Sequence, residues 1–105
     1  GHPKCGASWE GYAIAQALDR LRPDEAYFWA THEGAELDLL ALKSGRRFGI
    51  ECKRTDAPRL TPSMRIAMQD LALHRLWVLY PGERRYPLAE RIEAVPLRVV
   101  VRAGF

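Results

Sequence analysis

Apolar residues recur at helical spacing over residues 8–21, where Ile14, Ala17, Leu18 and Leu21 form one stripe, the pattern of an amphipathic helix. Ser8 can cap its start, and Pro23 forbids its continuation. Glu10 falls on the same stripe and is expected to point toward whatever the helix packs on. A first-turn glutamate also suits the positive end of the helix dipole. The pattern then becomes that of strands. Residues 26–32 (AYFWATH) are rich in aromatics, and Thr31-His32-Glu33-Gly34 turns the chain into a hairpin. Its strands span residues 35–43 and 46–53 around a Ser44-Gly45 turn.

Residues 54–60 hold Asp56 and Pro58 and read as a loop. Thr61 and Pro62 then supply a capping threonine and a proline at the first helical position. The helix is expected to reach about His74, with Met64, Ala67, Met68 and Leu71 on its apolar side and Gln69 off it. Residues 76–80 (LWVLY) form a continuous apolar run, short enough for a strand buried on both faces. Pro81-Gly82 ends it. The tail over residues 85–101 is interrupted by Pro87 and Pro96, which demote it to edge strands or irregular structure.

Helix, three strands, helix and strand, followed by a β-like tail, describe an α/β fold. A helix between two strands suggests a right-handed crossover and a mixed sheet. Helices on both faces would explain why the strands are apolar almost throughout.

The hairpin carries the candidate chemistry. Alternation places Glu51 and Lys53 on one face of the second strand, with Ile50 and Cys52 on the other. Pairing of the two strands brings Asp38 toward Glu51, with Lys53 beside them. Two neighbouring carboxylates repel, and a carboxylate among Leu39, Leu40 and Leu42 loses hydration that it must recover elsewhere. A divalent cation would answer both problems, because hard cations take carboxylate oxygens. The plainer alternative is a cross-strand ion pair of Asp38 with Lys53 at a half-wet strand end. His32, a lone histidine at a turn, is a weak candidate for metal or phosphate contact.

A chain of 105 residues makes one domain with a modest core, and 48% apolar with 28% charged residues is ordinary for a folded domain. No apolar run approaches membrane-spanning length, and no signal peptide is visible. Cys5 and Cys52 have no metal-ligand spacing, and Cys52 takes an inward position as a small apolar thiol. The expected setting is the cytoplasm. A net charge of +3 permits nucleic-acid binding without demanding it, and the pairs Arg46-Arg47, Lys53-Arg54 and Arg84-Arg85 have a solvated surface as their default explanation. Gly1-His2 resembles the remnant of a cleaved tag, which points to one domain excised from a longer protein.

Glu10 on the first helix, Asp38 on the second strand and Glu51-Cys52-Lys53 on the third together resemble the PD-(D/E)xK nuclease superfamily, whose core runs αβββαβ. Gly6-x-x-x-Glu10, Gly34-Ala-Glu-Leu-Asp38, Ile50-Glu51-Cys-Lys53, Tyr80-Pro81-Gly82 and Val95-Pro96-Leu97 are similar to the uncharacterised C-terminal domain of certain bacterial AAA+-type ATPases. That resemblance covers nearly the whole chain. The proline that names the superfamily is absent before Asp38, where Glu36-Leu37 stands, and Glu36 shares a face with Asp38.

The resemblance implies a restriction-endonuclease-like fold and a metal-dependent nuclease acting on DNA. Asp38, Glu51 and the backbone carbonyl of Cys52 would hold Mg²⁺ or Mn²⁺, with Glu10 reaching the ion directly or through water. Lys53 would orient or help deprotonate the attacking water. Arg54 and Arg59 would contact phosphates. The resemblance also implies an ATPase module upstream in the native chain; no G-x-x-x-x-G-K-[ST] loop occurs in these residues, which should not themselves hydrolyse ATP. Two alternatives stay open: a catalytically silent nucleic-acid- or protein-binding domain on the same fold, and a stand-alone structure-selective nuclease. The tag-like start argues against the latter.

Overall fold

A computed structural model describes residues 8–105. Gly1-His2, Cys5 and Gly6 lie outside the described residues. The elements are α1 (Trp9–Leu21), β1 (Glu25–Ala30), β2 (Glu36–Lys43), β3 (Arg46–Cys52), α2 (Pro62–Asp70), β4 (Arg75–Tyr80), β5 (Tyr86–Ala89), β6 (Ile92–Pro96) and α3 (Leu97–Ala103). The first six follow the αβββαβ order.

The strands form one mixed sheet in the order β1-β2-β3-β4-β6-β5. Strands β1, β2 and β3 pair antiparallel, β3 and β6 flank β4 in parallel, and β5 closes the far edge antiparallel to β6. Parallel neighbours need a crossover, and α2 lies in the connection from β3 to β4. Helices cover both faces. Ala13, Ala17 and Leu21 of α1, with Leu97 and Val100 of α3, pack on Leu39, Ile50, Trp77 and Leu79. On the other face Met64 and Ala67 of α2, with Leu73, pack on Leu37, Leu76 and Val78. Strand β4 therefore gives alternate side chains to two cores, as its unbroken apolar run predicts.

Local signals act as expected at most boundaries. Ser8 Oγ accepts from the Gly11 N–H at 3.0 Å, and Thr61 Oγ1 accepts from the Met64 N–H at 3.2 Å. Ser44 and Gly45 both take positive φ, 54° and 77°, the tight hairpin geometry that suits the twist of the flanking strands.

Two expectations need correction. Helix α2 stops at Asp70 instead of near His74, because Ala72 turns left-handed at φ 49°. The Leu73 N–H then bonds Met68 O, and the Ala72 N–H bonds Gln69 O, a Schellman closure made without glycine. The tail is the second. Strand β6 is interior, lying between β4 and β5, and Pro96 ends it and opens α3. Val99, Val100 and Val101 have the β-branched composition of a strand, but packing of Leu97 and Val100 against α1 and the sheet overrides that preference.

Gly49 marks a close approach. A Cβ there would lie 2.8 Å from Leu73 Cδ1 and 3.1 Å from Leu37 Cδ2, both buried side chains. Gly49→Ala is expected to destabilise the fold by about 1–3 kcal/mol through overpacking, checked by chemical denaturation; an unchanged midpoint would show that the two leucines yield freely.

Candidate active site

The site begins with an irregularity in β2. Leu37 packs on the α2 face, whereas Leu39 and Ala41 pack on the opposite face. Residues two apart on a regular strand share a face, so the alternation breaks between Leu37 and Leu39. Pairing with β1 shows the same break. Tyr27 is opposite Leu40 and Trp29 is opposite Leu37, leaving β2 one residue longer than its partner. This is a bulge, a device that re-aims side chains. Asp38 stands within it.

On the other side, the β2–β3 ladder runs from Lys43↔Arg46 to Leu39↔Ile50. Beyond that point side chains serve as partners for the backbone. The Cys52 N–H donates to Asp38 Oδ2 at 2.7 Å, and the Asp38 N–H donates to Glu51 Oε1 at 3.2 Å. Each carboxylate thus holds the opposite strand. The first turn of α2 secures the end of β2: Ser63 Oγ accepts from the Glu36 N–H at 3.0 Å and donates to Glu36 O at 3.3 Å. Nothing in the sequence pattern singles out Ser63.

Glu51 is buried, only 6% exposed. Its carboxyl is pushed from the ordinary range up to about 8, chiefly by burial, then by the charge of Asp38 and a hydrogen bond with the Asp38 carboxylate. Lys53 and the Asp38 N–H act in the opposite direction but more weakly. Near neutral pH Glu51 therefore keeps its proton, the usual outcome for a buried carboxyl beside a like charge. Lys53 continues β3 by one residue, donating its N–H to Leu79 O at 2.9 Å. Its Nζ lies 3.9 Å from Glu51 Oε2. The Lys53 ammonium lies against the Glu51 carboxyl, not against Asp38 as the plainer alternative supposes.

Asp38, Glu51 and Lys53 thus meet at the C-terminal end of β3. Glu10 does not join them by contact. The buried stripe of α1 is Ala13, Ala17 and Leu21, and Glu10 is exposed in the first turn instead of facing a packed surface. Its charge nonetheless reaches the site's edge: burial, then Asp38, Glu10 and Glu51, push the Cys52 thiol far above its ordinary range. Cys52 stays a protonated, buried thiol, unsuited to nucleophilic work. Arg54 follows Lys53 and is exposed, and Glu36 and His32 are also exposed.

Two cavities open nearby. One of about 420 Å³ is lined by Trp9 and Tyr12 of α1, Pro81 and Gly82 after β4, and Arg98 and Arg102 of α3. Trp9 precedes Glu10, and Pro81 is two residues beyond the Leu79 carbonyl that holds Lys53. This aromatic and arginine wall was invisible in the sequence because α3 read as a strand. The second cavity, about 620 Å³, includes Arg59 with Pro58, Tyr80 and Tyr86, and the Tyr86 hydroxyl donates to Pro58 O at 2.7 Å. Arg59 is placed there, apart from the contacts of the acid pair.

Among the described residues no group of three His, Cys, Asp or Glu side chains stands close enough to hold a metal. The donors that fit a hard cation are two carboxylates, with the Cys52 backbone carbonyl between Glu51 and Lys53 in sequence. Such a partial oxygen set, completed by water and a phosphate, suits Mg²⁺ or Mn²⁺ better than a soft metal.

Residues 5–100 match a family described as a domain of unknown function, DUF4143. The uncharacterized proteins Rv2008c of Mycobacterium tuberculosis and Mb2031c of Mycobacterium bovis are each 47% identical to this chain over 103 residues. The alignment covers 98% of this chain but 23% of either relative, so the chain spans under a quarter of their length. No solved structure matches.

The raised Glu51 carboxyl fixes a pH dependence for the metal-free protein. Its folded-state value of about 8 exceeds its ordinary 4.5, so the folded state holds a proton that the unfolded chain has lost. Stability should fall as pH rises from about 4.5 to about 8, with a slope of up to about 1.4 kcal/mol per pH unit. Denaturant titrations of wild type and Glu51→Gln in EDTA across that window check this. The variant, unable to ionise there, should lose the slope; equal slopes in both would place the proton elsewhere.

Proposed function

The chain belongs to the DUF4143 family, and from its closely set carboxylates we propose that it is a metal-dependent nuclease of the PD-(D/E)xK kind, hydrolysing phosphodiester bonds of DNA. The observation that carries this is the mutual grip of Asp38 and Glu51, with Lys53 at 3.9 Å from Glu51. Two acids and a lysine held at one strand end supply cation ligands and a cationic group in one place.

Asp38, Glu51 and the Cys52 carbonyl would hold Mg²⁺ or Mn²⁺, with Glu10 contributing from the first turn of α1 through water. Bound there, the cation would supply Lewis acidity toward a phosphate oxygen and lower the pKa of a bound water. Glu51, protonated near neutral pH in the metal-free protein, would give up its proton when the cation binds. Lys53, anchored through its backbone to β4, would orient the attacking water and offset charge developing on the phosphate. Arg54 lies beside it for phosphate contact, while Arg98 and Arg102 provide further phosphate contacts and Tyr12, 51% exposed, offers a stacking face. Arg59 would act farther along the strand, from its own cavity.

In the native protein the domain would be joined to an ATPase and work in the cytoplasm. The greater length of the relatives leaves room for such a module, and among the described residues no helix is long and apolar enough to cross a membrane.

A second reading is a catalytically silent nucleic-acid- or protein-binding domain on the same fold. The exposure of Glu10 and the lack of a three-side-chain ligand group among the described residues favour it. Cleavage of plasmid and branched DNA with Mg²⁺ or Mn²⁺ separates the two. Asp38→Asn keeps an acceptor for the Cys52 N–H, and Lys53→Ala leaves the acids intact. Each is expected to lower the rate by about 10²-fold or more, with circular dichroism unchanged. Calorimetric Mn²⁺ binding should weaken in Asp38→Asn and persist in Lys53→Ala. Cleavage that survives both substitutions would overturn the nuclease proposal, and metal binding without cleavage would favour the silent domain.

A further inference from the structure

The end of the sheet opposite the acid pair carries a concentration of positive charge that the proposed nuclease chemistry does not use. A cavity of about 320 Å³ is lined by Gly45, Arg46 and Arg47 at the hairpin turn, Ala72, Leu73 and His74 after α2, and Arg91 before β6. Arg75 begins β4 directly beside it, opposite Phe48 in the parallel ladder. Arg46 and Glu51 are five residues apart on β3, so this cavity lies about 17 Å from the acid pair.

Three backbone features bring these residues to the rim of one cavity, Arg46 toward His74 and Arg47 toward Leu71. The tight Ser44-Gly45 turn delivers Arg46 and Arg47 at the start of β3. The left-handed Ala72 swings His74 back over that turn, where the His74 N–H donates to Arg47 O at 2.7 Å. The Leu76 N–H bonds Arg91 O at 2.8 Å and brings the third arginine alongside.

No carboxylate forms an ion pair with the group among the described residues, although Asp24 Oδ2 accepts from the Ser44 N–H at 3.1 Å beside the turn, and Glu93, paired with Arg85, lines a cavity with Arg75. Asp70 and Glu90 are the nearest acids along the chain, yet neither forms an ion pair with Arg46, Arg47, Arg75 or Arg91 among the described residues. Arg47 Nη1 instead donates to Leu71 O at 3.0 Å, and Arg46 Nη1 lies 3.3 Å from His74 Nε2. A neutral imidazole therefore serves as acceptor for a guanidinium. The groups facing His74 are Arg46, Arg75, Arg91 and the edge-on ring of Phe48, with centroids 5.6 Å apart. All that carry charge are positive. Desolvation first, then Arg46, Arg91 and Arg75, hold the imidazole below its ordinary range.

We propose that this cavity, walled by Arg46, Arg47, His74 and Arg91, is a binding site for a phosphate-bearing anion. Planar guanidiniums match phosphate oxygens with paired N–H groups, and like charges lining one cavity without an ion-pair partner repel one another until an anion arrives. An anion seated there relieves the repulsion, releases Arg46 from His74 and allows the imidazole to protonate and donate in turn. The site is independent of the acid pair.

The local probe is the imidazole resonance of His74, followed by NMR in EDTA so that metal-dependent cleavage plays no part. Sulfate, which keeps a fixed double charge over this range, pyrophosphate and a short DNA duplex are titrated against sodium chloride at matched ionic strength. The His74 resonance should move saturably, beyond any change in sodium chloride, and the His74 midpoint should rise when sulfate binds. Arg46→Gln with Arg91→Gln should weaken the response about tenfold or more while Asp38→Asn leaves it unchanged. A response to pyrophosphate but not duplex assigns a free phosphate ligand, and a stronger response to duplex assigns a nucleic-acid backbone. A His74 that moves no further than in sodium chloride, or that responds equally in the folded double variant, overturns the site.

Discussion

The mutual hold of Asp38 and Glu51 is the constraint on which the rest of the site depends. Two backbone N–H groups at the end of the β2–β3 ladder need acceptors, and carboxylates supply them in place of carbonyls. Leaving either N–H unpaired in this partly buried position would cost roughly 1–3 kcal/mol. The acids are therefore structural before they are anything else. Their hydrogen bonds also fix the spacing that makes them electrostatically unhappy. The bulge at Asp38, the tether of Glu36 to Ser63 and the continuation of β3 through Lys53 onto β4 all keep that spacing from relaxing.

The surrounding fold explains how a strained pair is tolerated. Strand β3 lies between an antiparallel and a parallel neighbour, and both of its faces are covered by helices. Glu51 cannot swing into water without breaking the bond to the Asp38 N–H. The least costly adjustment is protonation, and burial beside Asp38 pushes the Glu51 carboxyl toward it. A cation would substitute for the proton without moving either strand. Charge is also segregated along the sheet. The acids stand at the C-terminal end of β3, and arginines without an ion-pair partner among the described residues stand where β3 and β4 begin.

Much of this architecture was legible in the sequence. Ser8, Thr61-Pro62, Ser44-Gly45 and Pro81-Gly82 each mark a boundary through local backbone chemistry, which acts the same wherever the chain goes. The double-sided burial of β4 was legible from its unbroken apolar run. The failures share one cause, which is that tertiary packing decides what local composition leaves open. Three consecutive valines read as strand, yet they lie in α3, where Val100 is buried in the core against α1. Glu10 sits at helical spacing from apolar residues, but the true stripe is centred on Ala13 and Ala17, and the small alanines carry little signal. The approach of Asp38, Glu51 and Lys53 was legible because hairpin pairing sets it. The bulge was not, since it depends on a register with β1 that no motif encodes.

The early end of α2 shows how one unsignalled residue shapes both ends of the sheet. Ala72 takes a left-handed conformation that ordinarily favours glycine, at a cost of roughly 1 kcal/mol. The closure it makes buries Leu73 against Gly49 and Leu37, which seats β2 just before the bulge that carries Asp38. The same turn places His74 over Arg47. A helix continued to His74 would carry Leu73 away from Gly49 and open the arginine cavity. The strained alanine is therefore a hinge point of the design: packing of Leu73 supplies the energy that holds it, and both charged ends of β3 take their positions from the result.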